Sequence, residues 1–418
     1  MVEAHANSTD DYLIEGLSFK LAPGASYVTN RRSVSYFPSG SDTYSPSAGV
    51  KVIKIKLNGS DWLDPSTVKM MFTLTNLDTT NAMTFLSGPH SFFRRLRIVC
   101  GGQIVEDIDD YNRVCEMFNV LSSSNVRTND SIEGVKRWDD GTAETLPATK
   151  GRKVGMKLLS GLLNQTKMLP IRYCPLEIEL EVVNAVGDAQ KGSTDWKISD
   201  VQLKCDLVTL DNSLENSYAQ HLLSGKALPI NYGTYISQSQ VVTDSTFNIN
   251  VSRAVTRLKS IFLTMLGAPH GDRSTVLKEF NNFWHPMSAG AGVYDDGKEI
   301  ELHVQIGSKL YPEYPIRSVS ESFSQLKKTM GIHQSPFHSL DMNGAQYREY
   351  KFISAIDTEK VLEAGFTGLN TRAGDLMTIK VKPIDTLGMG ATKPTKFFTV
   401  LHSDNIMEVR ETGITVFD

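Results

Sequence analysis

Cysteine is scarce in this chain. There are four residues in 418, Cys100, Cys115, Cys174 and Cys205, and no CxxC pair. That excludes a disulfide scaffold and removes the thiolate pairs on which many structural zinc sites depend. Each sits among apolar neighbours, so buried free thiols in a reducing compartment are expected. An excess of one charge is lacking too. Lys and Arg number 43 against 47 Asp and Glu, a net charge of −4, which gives no electrostatic basis for bulk nucleic-acid binding. No apolar run approaches the roughly 20 residues that span a bilayer. The opening Met1-Val2-Glu3-Ala4-His5 is polar and acidic, unlike a secretory signal.

Catalytic signatures are missing as well. There is no His-x-His pair of the cupin type and no Gly-x-Ser-x-Gly elbow. Gly388-Met389-Gly390-Ala391-Thr392-Lys393 lacks the Gly-Lys-Ser/Thr ending of a phosphate loop and lies between strand signals. His333 and His338, with Asp341 nearby, have the residue types of a metal site, but loop histidines beside proline are more often structural or solvated. The carboxylate pairs Asp109-Asp110, Asp139-Asp140 and Asp295-Asp296 fall where helix capping or turn geometry explains them. No catalytic, cofactor-binding or metal-binding set is expected.

What the chain does contain is a pattern of short alternating strands, laid down twice. Hydrophobic residues make up 40% and charged residues 22%, a globular composition. In the first half, strand signals fall at 51–58, 67–76, 92–100, 102–106, 153–159, 176–184 and 196–210, the last expected to break near Ser199-Asp200. Gly101-Gly102 between two apolar runs marks a tight hairpin. Tyr111, Val114, Cys115, Phe118 and Leu121 fall at helical spacing behind two aspartates, and Ser122 to Thr149 reads as an exposed loop. In the second half, strand signals fall at 245–252, 256–266, 299–307, 349–356, 375–382, 396–402 and 405–417. A helix from Ser318 to Met330 has a capping box at Ser318 and Glu321, an apolar face of Val319, Phe323, Leu326 and Met330, and Gly331 as its stop.

Equivalent elements recur at shifts of about 195 to 209 residues, in one order, which marks a structural repeat. Strands of this length, alternating as Ile53, Ile55 and Leu57 against Lys54 and Lys56, predict two packed antiparallel sheets per unit. The expected fold is all-β: two tandem eight-stranded jelly rolls, each with one short inserted helix. The expected division is an extended, Ser- and Thr-rich arm over residues 1–48, a first jelly roll over 49–211, a linker helix within 212–227 and a second jelly roll over 228–418.

Three stretches carry a family resemblance: Phe92-Phe93-Arg94-Arg95-Leu96-Arg97-Ile98-Val99-Cys100-Gly101-Gly102-Gln103-Ile104-Val105 running into a helix with Tyr111; Gly365-Phe366-Thr367-Gly368-Leu369-Asn370-Thr371-Arg372 running into Met377-Thr378-Ile379-Lys380-Val381; and the ending Ile406-Met407-Glu408-Val409-Arg410 to Val416-Phe417-Asp418. In these the chain resembles the double jelly-roll major capsid proteins of double-stranded DNA viruses, of the polinton-like virus, adintovirus and virophage type. The resemblance implies a structural, non-enzymatic subunit of the virion. It implies a homotrimer with six barrels in a ring, tiling an icosahedral shell beside penton and minor capsid proteins. It implies no sequence-specific nucleic-acid contact and leaves an internal membrane open.

Under this reading Phe92, Phe93, Arg94 and Arg95 belong to an edge strand whose arginines pair with carboxylates of a neighbouring subunit. The rival is single-stranded nucleic-acid binding by stacking and phosphate contact. Trp138, Phe283, Trp284 and Tyr294 are further subunit-interface candidates, with plugging the end of their own barrel as an equal alternative. A tandem β-sandwich that binds carbohydrate, or a metal-dependent jelly-roll enzyme, are the competing functions. Against them stand the absence of a dense Asp/Asn calcium loop and of His-x-His.

Overall fold

A computed structural model describes residues 27–141, 144–267, 276–286, 299–334, 338–361, 366–372, 376–384 and 393–418. Gly290, Gly292, Tyr294, the pair Asp295-Asp296 and most of the Gly388–Lys393 stretch lie outside them.

The first barrel is built from β1 (Val28–Tyr36), β2 (Val52–Leu57), β3 (Trp62–Asn76), β4 (Phe93–Cys100), β5 (Gln103–Ile108), β6 (Gly151–Met156), β7 (Leu176–Val182) and β8 (Trp196–Leu210). They form two antiparallel sheets, ordered β1-β8-β3-β6 and β2-β7-β4-β5. The second barrel repeats this with β9 (Leu228–Val241), β10 (Phe247–Val251), β11 (Leu258–Leu266), β12 (Ile300–Ile306), β13 (Lys309–Ile316), β14 (Ser354–Asp357), β15 (Met377–Pro383) and β16 (Lys396–Arg410). Their orders are β9-β16-β11-β14 and β10-β15-β12-β13, the same arrangement position for position. First and last strands lie side by side in each set, which is jelly-roll topology. A final strand, β17 (Gly413–Phe417), folds back on β16.

Period-two alternation drives each sandwich. In β7 the buried positions are Leu176, Ile178, Leu180 and Val182, and the intervening glutamates face out. Against them pack Met70, Phe72 and Leu74 of β3 and Trp196, Ile198 and Leu203 of β8, all fully buried. Each such side chain contributes about 1.5–3 kcal/mol by leaving water. Gly101 and Gly102, at φ +53° and +85°, make the expected hairpin between β4 and β5. All four cysteines are free thiols in the cores.

Several expectations change. The stretch Val28–Tyr36, read as part of an arm, is the first strand of the first barrel, paired with β8 from Val28↔Leu210 to Tyr36↔Leu203. It lacked a hydrophobic signature because it is a terminal strand whose polar side chains face solvent. β9 and β13 are likewise terminal strands that periodicity did not mark. β8 does not break at Ser199-Asp200; it bulges there, with Asp200 at φ +49°. β16 runs unbroken through His402 to Asn405. Each β5–β6 or β13–β14 crossover carries a second short helix besides the expected one: α1 (Tyr111–Leu121) and α2 (Ser124–Asp130) in the first barrel. A linker helix, α3 (Asn212–Leu223), joins the barrels, and α4 (Val319–Thr329) and α5 (Gly344–Glu349) occupy the second crossover.

The capping expectations divide. Ser318 accepts from the Glu321 N–H at 3.1 Å, and Glu321 in turn accepts from the Arg317 N–H. Asp110, at the start of α1, makes no side-chain cap bond and sits in the left-handed region. On α3, Tyr218 packs 4.8 Å from the Trp62 ring and Leu222 is buried, so one face of this helix docks on the first barrel.

Two histidines of the second barrel are shielded from water: His285 is buried, and His402 is half-buried on the face turned toward the first barrel. His402 stacks on Tyr235, ring centroids 4.9 Å apart; burial, helped by Lys259, lowers its pKa to about 4. His285 is buried against Phe352, and burial, with Arg348 adding to it, lowers its pKa to about 3. In the unfolded chain an imidazole takes up its proton near pH 6.5. Stability from keeping them neutral is therefore complete above pH 6.5 and drains away as pH falls toward the folded values. At pH 5 the expected loss is about 2 kcal/mol for His402. Denaturant unfolding at pH 7 and pH 5 checks this: wild type should lose about that much more than His402→Gln, and equal losses would refute it.

Candidate assembly surface

The outward face of the β2-β7-β4-β5 sheet is a lattice of alternating charge. Lysines of β2, glutamates of β7, arginines of β4 and aspartates of β5 stand in adjacent columns because the pairing puts Lys54, Glu179, Arg97 and Asp107 in register. Lys56 lies 3.5 Å from Glu177, Arg97 3.3 Å from Glu179 and Arg94 3.4 Å from Glu181. Lys54 also pairs with Glu179. Arg95 holds Asp107 through two parallel bonds of 2.7 and 2.6 Å and reaches Asp109 at 3.3 Å. Exposed pairs contribute about 0–1 kcal/mol each, so the lattice adds little to stability. It leaves the arginines with their charge already matched.

This corrects the expectation for Arg94 and Arg95. β4 is an interior strand between β7 and β5, not an edge, and the carboxylates its arginines meet belong to this chain. Phe92 and Phe93 are fully buried. Phe92 meets Trp196 edge-on at 4.8 Å and Phe93 meets Phe72 at 5.6 Å, so neither offers a surface to a nucleic-acid base or to another subunit.

The loop aromatics gather where the barrels of one chain meet. Arg113 of α1 enters the second barrel with its guanidinium carbon 5.1 Å from the Phe283 ring and 4.8 Å from the Phe398 ring. It donates to the backbone carbonyls of Glu279 and, at 3.3 Å, Asn282. Burial lowers its pKa to about 10, still far above neutrality. On the same helix, Phe118 packs 4.8 Å from Tyr235 and 5.2 Å from Phe262. Trp138 lies 5.4 Å from Tyr350 of the second barrel, and Lys351 is 3.4 Å from Asp139 of the first. Behind them Arg137 pairs with Glu116 at 2.7 Å and Arg127 with Asp140 at 2.6 Å, all buried. Phe283 is fully buried and Trp284 nearly so, its backbone N–H donating to the Met265 carbonyl at 2.8 Å. Trp138 and Phe283 thus join the two barrels of one chain.

A second seam joins β5 to β9. The Tyr232 hydroxyl donates to the Val105 carbonyl at 2.9 Å, and Ser237 to that of Asp109 at 2.6 Å. Glu106 is buried here, pushed toward its neutral form by burial, and accepts from the N–H groups of Gly161 and Leu162 at 2.9 and 3.2 Å. At Gly161 the backbones pass so close that a Cβ would run into the Gly233 carbonyl oxygen. Arg113, Glu106, Gly161 and Tyr232 were not singled out from the sequence. A lone arginine beside an apolar helical face carries no local signal that aromatic rings from two segments far along the chain, at Phe283 and Phe398, will enclose it.

Among the described residues no three His, Cys, Asp or Glu side chains gather as metal ligands. Asp341 accepts from the Ser124 N–H at 3.3 Å, and the His338 ring packs 6.0 Å from that of Phe323. The cleft between the barrels holds Arg113, Lys278, Glu279 and Lys396, with Lys396 paired to Glu279.

Replacing Arg113 with Met keeps the bulk but strands two carbonyls. The expected cost is about 2–4 kcal/mol. Because the loss falls at the seam and not in either core, calorimetry should resolve two transitions where wild type shows one. Gly161→Ala should split the transition the same way. A single, merely lowered transition in both variants would contradict a seam that couples the barrels.

No protein-family model matches the chain, and no curated protein sequence does either. Solved structures do match. VP54 of PBCV-1, fitted into a cryo-EM reconstruction of the virophage Sputnik, superposes with a TM-score of 0.63 at 12% identity, covering 95% of this chain and 98% of that one. A chain of the Sputnik virophage itself gives 0.56 at 9% identity over 96% and 90%. The Faustovirus major capsid protein gives 0.55 at 8% identity over 93% and 92%. At such identities the likeness is one of fold, and it runs nearly end to end on both sides. The chain is a double jelly roll, two tandem eight-stranded barrels on the same plan as these viral proteins.

Proposed function

We propose that this chain is the major capsid protein of an icosahedral double-stranded DNA virus, a non-catalytic component of the virion that assembles with copies of itself. The observation that carries this reading is the repetition of one barrel plan within one rigidly seamed chain. Three such chains supply six near-equivalent barrels, so a three-fold object acquires a six-sided outline that packs in a plane. Closed symmetry lets one interface serve repeatedly. The loops at the barrel ends are free to vary without disturbing the sheets. The fold shared with the viral proteins over nearly the whole chain supports the same reading.

The charge pattern fits a wall more than a genome-binding surface. The arginines of the β4 strand are matched by carboxylates of the same sheet, so this face presents no row of free cations to a phosphate backbone. Penton and minor capsid proteins would be further partners in such a shell. Beyond their contacts within the chain, Arg94 keeps an exposed side chain and Trp138 a partly exposed one, and these exposed parts are our candidates for contact between subunits.

Light scattering on the purified protein should report about three times 46.3 kDa, and electron micrographs should show six-sided plates. A chain that stays monomeric at every concentration tested would overturn the proposal. Glycan binding by that monomer would point instead to a carbohydrate-binding sandwich.

A further inference from the structure

Resting on the capsid reading, we propose that β13 of one copy docks on β1 of the next, and that the proline-framed bulge Pro312-Glu313-Tyr314-Pro315 is the knob of that contact.

The two barrels meet through β5, which ends the β2-β7-β4-β5 sheet, and β9, which ends the β9-β16-β11-β14 sheet. In the repeated plan, β13 holds in the second barrel the place of β5, and β1 holds in the first barrel the place of β9. One pair of terminal strands is consumed within the chain. Its counterpart pair ends its sheets with no further strand alongside among the described residues. A second copy placed as the second barrel is placed on the first brings β13 to β1. Such a contact joins two different surfaces, and repeated about an axis it closes into a ring.

The side chains at these strands suit an interface. β13 leaves Leu310 39% and Tyr314 64% exposed, while β1 and its flanks leave Tyr27, Val28 and Phe37 46%, 46% and 63% exposed. Leu302 stands opposite Ile316 and Val304 opposite Tyr311, so the residues between Tyr311 and Ile316 swing out of the ladder. Pro312 and Pro315 fix the shape of this bulge and lack N–H groups. The free edge therefore resists open-ended strand addition, and the contact is made by side chains on a pre-shaped knob. The seam within the chain has the same character: a tyrosine hydroxyl meets a strand carbonyl there, with no continuous ladder. Tyrosine is among the residues that most often anchor such contacts.

The test places a photoreactive benzophenone amino acid at position 314 of the full-length chain, irradiates the assembled protein and maps the adducts by mass spectrometry. Adducts within residues 27–37 of another copy are expected. In parallel, Tyr314→Glu and Leu310→Asp should each raise the concentration for half-trimerisation by about tenfold or more. Ile132→Glu, at an 82% exposed position away from both edges, should leave it unchanged. Thermal melting of each variant checks that it is folded, and the photo-adduct map stands even if one is not. Trimers that form normally with Tyr314→Glu, or adducts confined to other regions, would overturn this contact and leave the capsid reading intact. A wild-type chain that never trimerises would overturn both.

Discussion

Everything that depends on this chain acting as one body rests on the seam between its barrels, and the centre of that seam is a buried cation. A guanidinium taken out of water is costly unless its surroundings replace the lost hydration. Around Arg113 they do so from two sides. The faces of Phe283 and Phe398 supply negative quadrupole density, and two backbone carbonyls supply acceptors in fixed positions. All of these partners lie in the second barrel. The arrangement is satisfied only when both barrels hold one relative placement, so it sets orientation more than it adds net stability. Hydrophobic contacts such as Phe118 against Tyr235 and Phe262 supply attraction of a less directional kind.

The charge lattice on the β2-β7-β4-β5 sheet serves a related end. Each strand carries one sign on its outward face, so a one-step slip in strand register would turn those charges into the core and the Ile178 and Leu180 positions outward. Burial of unpaired charge and exposure of apolar surface together protect one register. A face built this way also presents fields that cancel over the distance of a strand spacing.

Legibility followed the neighbours each strand has. Interior strands such as β7 and β12 are read easily, because packing on one face and solvent or charge on the other impose strict alternation. Terminal strands are read poorly. β1 contributes Asn30, Arg31, Arg32 and Ser33, held by hydrogen bonds to β8 and by the pairs Arg31–Asp64 and Arg32–Asp61, with little need for an apolar face. It therefore resembled an arm. Local punctuation was legible where the chemistry is local: Gly101-Gly102, the Ser318 cap and Gly331 at φ +70° act within a few residues. The assembly candidates fared differently. An aromatic in a loop is equally consistent with a barrel core, a seam within the chain and a contact between chains. Only the three-dimensional path of the chain decides: Phe283 lies in the seam, while Phe92 and Phe93, at the start of β4, lie in a core.

Joining the two barrels in one chain also changes the thermodynamics of making the proposed ring. Association of separate bodies loses several kcal/mol or more of translational and rotational freedom at each step. A linker as short as α3 and its flanks makes one barrel-to-barrel contact of each chain intramolecular, at an effective concentration in the millimolar range. That contact can be buried, charged and demanding in geometry, because it forms once, during folding. Contacts between chains operate under a different constraint: they must be weak enough singly for misplaced copies to leave. Under the proposed contact, the sequence difference between the four edge strands fits this division of labour. β5 and β9 carry buried groups, Glu106 and Tyr232, that need complete and permanent satisfaction, whereas β1 and β13 carry surface charge, two prolines and a few exposed apolar side chains. The chain holds one scaffold twice, and under the proposed contact the physics of a permanent seam and of a reversible one sets what each edge can carry.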